Sequence, residues 1–222
     1  MGSPNSVSFI RKDDDMTTNA AGDHRLIDSL RATYDGSVID DRFHARLIRE
    51  AEDTGLLDVA YRTVDSPIGS LLLAATPAGL VRVAFDREDH DAVLAELATV
   101  ISPRLLRAAG RLDQAAGQLD EYFAGQRRVF TVALDLQLAR GFRRAVLTHL
   151  QAIPYGATET YARVAKASGN PTAVRAAASA CSHNPVPLVI PCHRVVRTDG
   201  TIGGYRGGVE AKRSLLAMES AA

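Results

Sequence analysis

This 222-residue chain predicts an α+β fold: a small antiparallel-sheet N-terminal domain with helices, followed by a mainly helical helix-turn-helix domain. Three observations predict it. Residues 61–85 alternate apolar and polar, carry β-branched residues and are broken by two turn-forming tetrapeptides. Beyond Gly141 the apolar residues recur at helical spacing. Residues 160–180 then hold two short helical stretches parted by Ser168-Gly169-Asn170-Pro171.

The first 56 residues read as an N-terminal extension. They begin polar, with partial disorder expected, and then place Ile39, Phe43, Leu47 and Ala51 four apart. That spacing is one face of an amphipathic helix, which Gly55 is placed to stop. Packing on the following domain is the expected use of the face. Met16 offers an alternative start, which would leave the first fifteen residues as a tag or a misassigned extension.

The N-terminal domain is expected over residues 57–138. Its strands lie within 61–85, turned by Ser66-Pro67-Ile68-Gly69 and Thr76-Pro77-Ala78-Gly79. Proline presets φ in such turns and glycine supplies the positive φ. Helices are expected over 89–101 and 112–123, and a further strand over 129–134.

The C-terminal domain is expected over residues 139–222. Phe142, Val146 and Leu150 share a helical face, and that helix must end before Pro154. Thr160 suits the cap of a helix running to about Lys166, closed by Ser168-Gly169. Asn170 suits the next cap, with Pro171 at the first helical position, where a missing N–H is harmless. Residues 174–180 are nearly all small, with one arginine, Arg175. Small side chains let a helix backbone come close to another surface, either a protein core or a nucleic-acid groove.

Composition narrows the setting. No apolar run approaches the ~20 residues that span a bilayer, and the N-terminus lacks the apolar core of a secretory signal. Two cysteines, Cys181 and Cys192, make no disulfide framework, and a cytoplasmic protein with both reduced is expected, nucleoid-associated if bacterial. The zero net charge is divided. Residues 140–222 carry 11 Lys/Arg against 4 Asp/Glu, and the preceding 139 carry 15 against 22. The basic half suits either an acidic partner or a solvated face.

Cysteine chemistry is the remaining signal. In Pro191-Cys192-His193-Arg194-Val195-Val196 a histidine directly follows a cysteine, and residues 186–190 form an apolar, strand-like approach to it. A thiolate, not a thiol, is the nucleophile, and a neighbouring base can make one. Taken alone, such a cysteine is more often a small buried core residue than a nucleophile.

The motifs around it resemble the O6-alkylguanine-DNA alkyltransferases, also called methylated-DNA–protein-cysteine methyltransferases. The resemblance rests on Asn184-Pro185-Val186-Pro187, the Pro191-Cys192-His193-Arg194 run and Gly203-Gly204-Tyr205-Arg206-Gly207-Gly208. It extends through Ile153-Pro154-Tyr155-Gly156, Thr160-Tyr161, Gly169-Asn170-Pro171, Arg175, Lys212 and Leu215-Leu216-Ala217-Met218-Glu219, and more weakly over 61–85.

The resemblance implies repair of duplex DNA containing O6-alkylguanine, by a monomer needing no metal or organic cofactor. The lesion nucleotide would be flipped out and its alkyl group moved irreversibly to Cys192. His193, through a water, would be the base and Glu219 its orienter. Tyr161 would donate to the departing guanine and Asn184 would brace the turn bearing the cysteine. Arg175 would fill the gap in the stack, with Ala176, Thr172, Ser179 and Arg163 also at the DNA. Pro187, Val195, Tyr205 and Arg206 would line the base pocket. Ala178 and Ser179 depart from the pattern, since many relatives have glycines there. A non-catalytic lesion-binding or regulatory protein of the same fold is the alternative, and Cys192 argues against it. A zinc site at Cys181, His183, Cys192 and His193 would consume the nucleophile.

Overall fold

The computed structural model describes residues 36–221, with side chains from residue 42. The expected disorder of the first residues, Met16 and the side chain of Ile39 lie outside the described residues. The chain divides into two compact units, Met1–Leu47 and Ile48–Ala222. Helix α1 spans Gly36–Asp53. In the first unit it carries Phe43 and Leu47 at 66% and 51% exposure, so this stretch of the apolar stripe faces solvent. In the second unit Ala51 packs with Leu57, Ala60 and Ala108, and Gly55 follows with φ +66°.

Strands β1 (Val59–Val64), β2 (Leu71–Thr76) and β3 (Gly79–Phe85) form an antiparallel meander. The predicted turns join them: Gly69 N–H donates to Ser66 O, and Gly69 and Gly79 take positive φ. Strand β2 is central and buried throughout. Its Leu71, Leu73 and Ala75 enter one core and its Leu72 and Ala74 the other, the two faces that a period of two creates. Helix α2 (His90–Val100) adds Val93 and Leu97 to the second core.

Two features of the sheet domain differ from the sequence-based expectation. The sheet is mixed, because β4 (Leu105–Arg107) joins the free edge of β1 in parallel. Three residues are too few to show an alternating pattern. Residues 129–134 form no regular strand. Leu80 donates its N–H to Ala133 O (2.8 Å) and accepts from Asp135 N–H (2.9 Å), and one bridge joins Leu80 to Leu134. Extended residues that find a partner at one position make no ladder. Gly79 allows the approach, since a Cβ there would stand 2.5 Å from Ala133 O.

Helix α3 (Asp113–Phe123) packs Ala115, Ala116, Leu119 and Tyr122 into the first core. That core runs on without a break into α4 (Gly141–Leu150), α5 (Tyr161–Ala167) and α6 (Val174–Ser182). Thr160 caps α5 by accepting from Arg163 N–H, and Gly169, at φ +91°, closes it. Helix α6 starts later than expected, at Val174. Asn170 instead closes a turn, its Oδ1 accepting from both N–H and Oγ1 of Thr172. Asparagine bonds readily to backbone two residues on, and a residue before proline is pushed out of the helical region.

The parallel pair β5 (Glu159–Thr160) and β6 (Val195–Val196) brings the start of α5 beside the Cys192 motif. The last helix, α7 (Val209–Ser220), buries Ala211, Lys212, Leu215 and Glu219, which lie on one face. Among the described residues no helix is long and apolar enough to cross a membrane.

Candidate active site

The apolar run before Cys192 is a buried turn and not a strand. Ile190 N–H donates to Val186 O (2.9 Å), and Leu188 sits at φ +73°. Prolines at 185, 187 and 191 cannot donate to a ladder, which disfavours a strand here. A left-handed leucine costs about 1–2 kcal/mol, tolerated only where the surroundings over-determine it. Asn184 does much of that. Its Oδ1 accepts from Val186 N–H (3.0 Å), and its Nδ2 donates to Ile190 O (2.8 Å) and to Cys192 Sγ (3.2 Å). The turn is also fastened to the sheet, since Val83 N–H donates to Pro185 O (2.8 Å).

Cys192 opens a short 3-10 turn, Cys192–Arg194, and is 3% exposed. Burial pushes its thiol pKa up, opposed by the Asn184 hydrogen bond and the positive charges of Lys212 and Arg206. The resting sulfur is therefore protonated, and a base must take its proton before it can attack.

The next residue in sequence is a histidine. His193 Nε2 lies 2.9 Å from Glu219 Oε1, with both side chains sealed from water. Burial works to raise the Glu219 pKa, but hydrogen bonds from His193, Arg194 and Tyr122 outweigh it and hold the carboxyl well below its ordinary value. An ionised carboxylate only accepts, so Nε2 carries the hydrogen and Nδ1 is left with a lone pair. Nδ1 is buried and has no hydrogen-bond partner among the described residues. Burial also depresses the His193 pKa, so the imidazole starts neutral and able to take a proton.

The carboxylate is heavily supported. Arg194 grips it with two nitrogens, Nε to Oε2 and Nη2 to Oε1, both at 2.8 Å, and spends Nη1 on Ile153 O (2.7 Å). Gly156 N–H donates to Oε2 (3.3 Å). The Tyr122 hydroxyl donates to Oε1 (2.7 Å) from α3, in the other half of the fold. Nothing in the sequence marked Tyr122, because it occupies an apolar helical position like any core residue.

Tyr161 and Lys212 complete the interior. The Tyr161 pKa is pushed up to about 12, first by burial and then by Cys181 and Cys192, so the hydroxyl stays a donor at neutral pH. Lys212 lies over the Tyr161 ring at 6.0 Å and donates to Val195 O (2.6 Å). The sequence pattern included Lys212 without a role, and the structure buries it completely in these contacts.

The remaining predicted site residues fall in three places. Pro187 and Val195 are buried. Tyr205 stands edge-on to His193 at 6.3 Å, with its hydroxyl buried and unpartnered among the described residues. Arg206 pairs with Glu88. Thr172, Arg175, Ala176 and Ser179 are exposed, whereas Ala177, Ala180 and Cys181 on the opposite side of α6 are buried. The small residues of α6 thus serve a core on one face and leave the other open. Arg163 is 75% exposed with Glu159 at 3.9 Å. Beside the open face of α6 an open cleft of about 520 Å³ is lined by Arg140, Phe142, Arg143 and Ser179, among others. Sequence reasoning left Arg140 and Arg143 within the general basic excess.

Comparison with known proteins identifies the family. Residues 141–221 match the family described as the DNA-binding domain of 6-O-methylguanine DNA methyltransferase. Residues 59–136 match its ribonuclease-like domain. A methylated-DNA–protein-cysteine methyltransferase of Mycolicibacterium paratuberculosis is 40% identical over 161 residues, covering 72% of this chain and 92% of that one. The crystal structure of Mycobacterium tuberculosis O6-methylguanine methyltransferase is similar at a TM-score of 0.65 and 37% identity, covering 73% of this chain and 93% of its own. Another Mycobacterium tuberculosis structure, determined in complex with DNA, gives a TM-score of 0.63 and 36% identity over 73% of this chain and 93% of that one. The matches extend through both the sheet domain and the helix-turn-helix domain, and the chain belongs to the methylated-DNA–protein-cysteine methyltransferase family, a DNA-repair transferase working by alkyl transfer.

Proposed function

We propose that this protein flips O6-alkylguanine out of duplex DNA and transfers the alkyl group irreversibly to Cys192, so that one molecule is consumed per lesion. The observation that carries this reading is His193, next in sequence to the cysteine: neutral, oriented through Nε2 by an ionised Glu219, with Nδ1 buried and unpartnered among the described residues. His193 Nδ1 takes the thiol proton through a water, and the imidazolium formed is stabilised by Glu219. The Sγ–alkyl bond forms as the alkyl–O6 bond breaks, and the electron pair leaves with guanine. Tyr161, still protonated, donates to a ring nitrogen of that leaving group and offsets its charge. Asn184 holds the turn and the sulfur in line.

The DNA face on this reading is the open side of α6. Arg175 enters the stack where the lesion was, Ala176 and Ser179 lie against the groove, and Thr172 and Arg163 sit at its edge. The cleft lined by Arg140 and Arg143 suits the phosphate backbone. The Mycobacterium tuberculosis structure with DNA supports the choice of partner. Residues 139–222 carry the chemistry. Residues 57–138 support it from Val83 and Tyr122.

Intact-protein mass spectrometry after mixing with a duplex containing O6-methylguanine tests the reading. Each molecule should gain one methyl group, about 14 mass units, and then stop, because a thioether is not reopened by thiols as a disulfide is. Turnover in excess substrate, or unmodified protein beside intact lesion, contradicts it. Arg175→Ala separates flipping from chemistry. It should slow transfer from duplex DNA roughly tenfold or more while leaving transfer from the free base O6-benzylguanine near wild type, since only the duplex has a gap to fill. Equal loss on both substrates would assign Arg175 a structural role.

A further inference from the structure

Residues 203–208 form a loop beside the site, with Tyr205 against His193, and its attachment to the sheet domain is a feature the alkyl-transfer chemistry does not require. Arg206 Nε donates to Glu88 Oε2. Tyr205 stands edge-on to Phe85 with ring centroids 5.4 Å apart. Gly207 and Gly208 pass so close to Phe85 and Arg87 that a Cβ at either would lie 2.7 Å from them. On the inner side a Cβ at Gly203 would lie 2.6 Å from the Tyr161 hydroxyl, and Tyr205 faces His193. With the loop seated, Cys192 is 3% exposed. A base therefore needs room made beside the sulfur, and the loop, seated on His193 and Tyr161, is the neighbouring segment held by a surface ion pair.

Glu88 is held as an anchor. Its Oε1 accepts from Phe85 N–H (2.9 Å) and its Oε2 from Arg82 (2.7 Å). The Arg82 and Glu88 side chains are 4% and 8% exposed, whereas Arg206 is 31% exposed. When the pair opens, Glu88 keeps its other partners and Arg206 regains water. Arg206 is thus the end that releases.

We infer that the Glu88–Arg206 ion pair is a latch that sets how far the 203–208 loop opens, and with it the size of the alkyl group the site accepts. This rests on the proposed transfer to Cys192. A methyl group adds little to the guanine that carries it. A benzyl group must also fit between Cys192 and the loop, so the cost of unlatching falls more heavily on the larger substituent.

The test compares wild type, Arg206→Ala and Arg206→Lys on one duplex sequence bearing either O6-methylguanine or O6-benzylguanine. The ratio of benzyl to methyl transfer rates should rise roughly three- to tenfold in Arg206→Ala, the effect of one partly exposed charge-assisted hydrogen bond. Arg206→Lys, which keeps the charge but loses the planar fork, should fall between. Hydrogen exchange of the 203–208 amides, measured without DNA, should quicken in the same order. An unchanged rate ratio, an equal fall on both lesions or unchanged exchange overturns the latch. Wild-type protein that transfers neither group refutes the Cys192 reaction instead, and the exchange measurement still decides whether the latch exists.

Discussion

Cys192→Ala should abolish alkyl transfer while lesion DNA is still bound. Nothing else in the site can take the role of that sulfur. Cys181 is buried in α6 on the side away from the open face, and burial pushes its thiol pKa far up, with Cys192 adding to it. The substitution removes one small side chain and the 3.2 Å hydrogen bond from Asn184 to Sγ. Asn184 Nδ2 keeps Ile190 O as an acceptor, so the turn survives, and the stability change should stay within about 1–2 kcal/mol. Intact mass after incubation with O6-methylguanine duplex, alongside an electrophoretic binding assay, reads both halves of this outcome. A methyl group on Cys181 in either protein would contradict it, as would loss of binding in a variant that remains folded.

Glu219→Gln should be the most damaging conservative change in the chain. The side chain keeps its shape but loses the charge that Arg194 and His193 were buried to meet. Leaving a buried cation without its counter-charge costs about 3–5 kcal/mol, or roughly 10 °C in melting temperature for a domain of this size. Transfer should fall about a hundredfold or more, because an amide can turn its own N–H toward the imidazole and reverse the tautomer. The pH dependence has a defined sign. The folded-state pKa of Glu219 lies well below its ordinary 4.5. Its contribution is therefore fully present above about pH 5 and is lost as pH falls toward the folded value. Wild type should lose stability on acidification in that window, and Glu219→Gln should lose less. Thermal melts from pH 7 down to pH 3 check this, and parallel curves for the two proteins would remove the carboxylate from the account.

The features that could be read from the chain are those whose causes lie within a few residues. Leu71 to Ala75 alternate between two cores because a strand shows its side chains to opposite faces. Thr160 caps α5 with its own hydroxyl and Gly169 closes that helix with a positive φ, both local acts of the backbone. The same holds for the cysteine and histidine side by side, and for Asn184, whose side chain bonds two, six and eight residues ahead. The shortfalls were also local in origin. Asn170 has the side chain and position of a helix cap but closes a turn. The apolar run at 186–190 turns back on itself where a strand was expected, since a continuous apolar stretch says buried without saying extended.

Other properties depend on which distant segments meet, and no spacing encodes that. Strand β4 exists because three residues fit the open edge of β1, and residues 129–134 form no ladder because only Leu80 meets them. Tyr122 reaches Glu219 across 97 positions of sequence, and Glu88 reaches Arg206 from the other domain. The residue types for a nucleophile, a base and a carboxylate were present in the sequence. Whether His193 is neutral, which nitrogen is free and how firmly the carboxylate stays ionised are set by desolvation and by hydrogen bonds. Both come into being only when the sheet domain closes against the last helix, because a shifted pKa belongs to an environment and not to a residue.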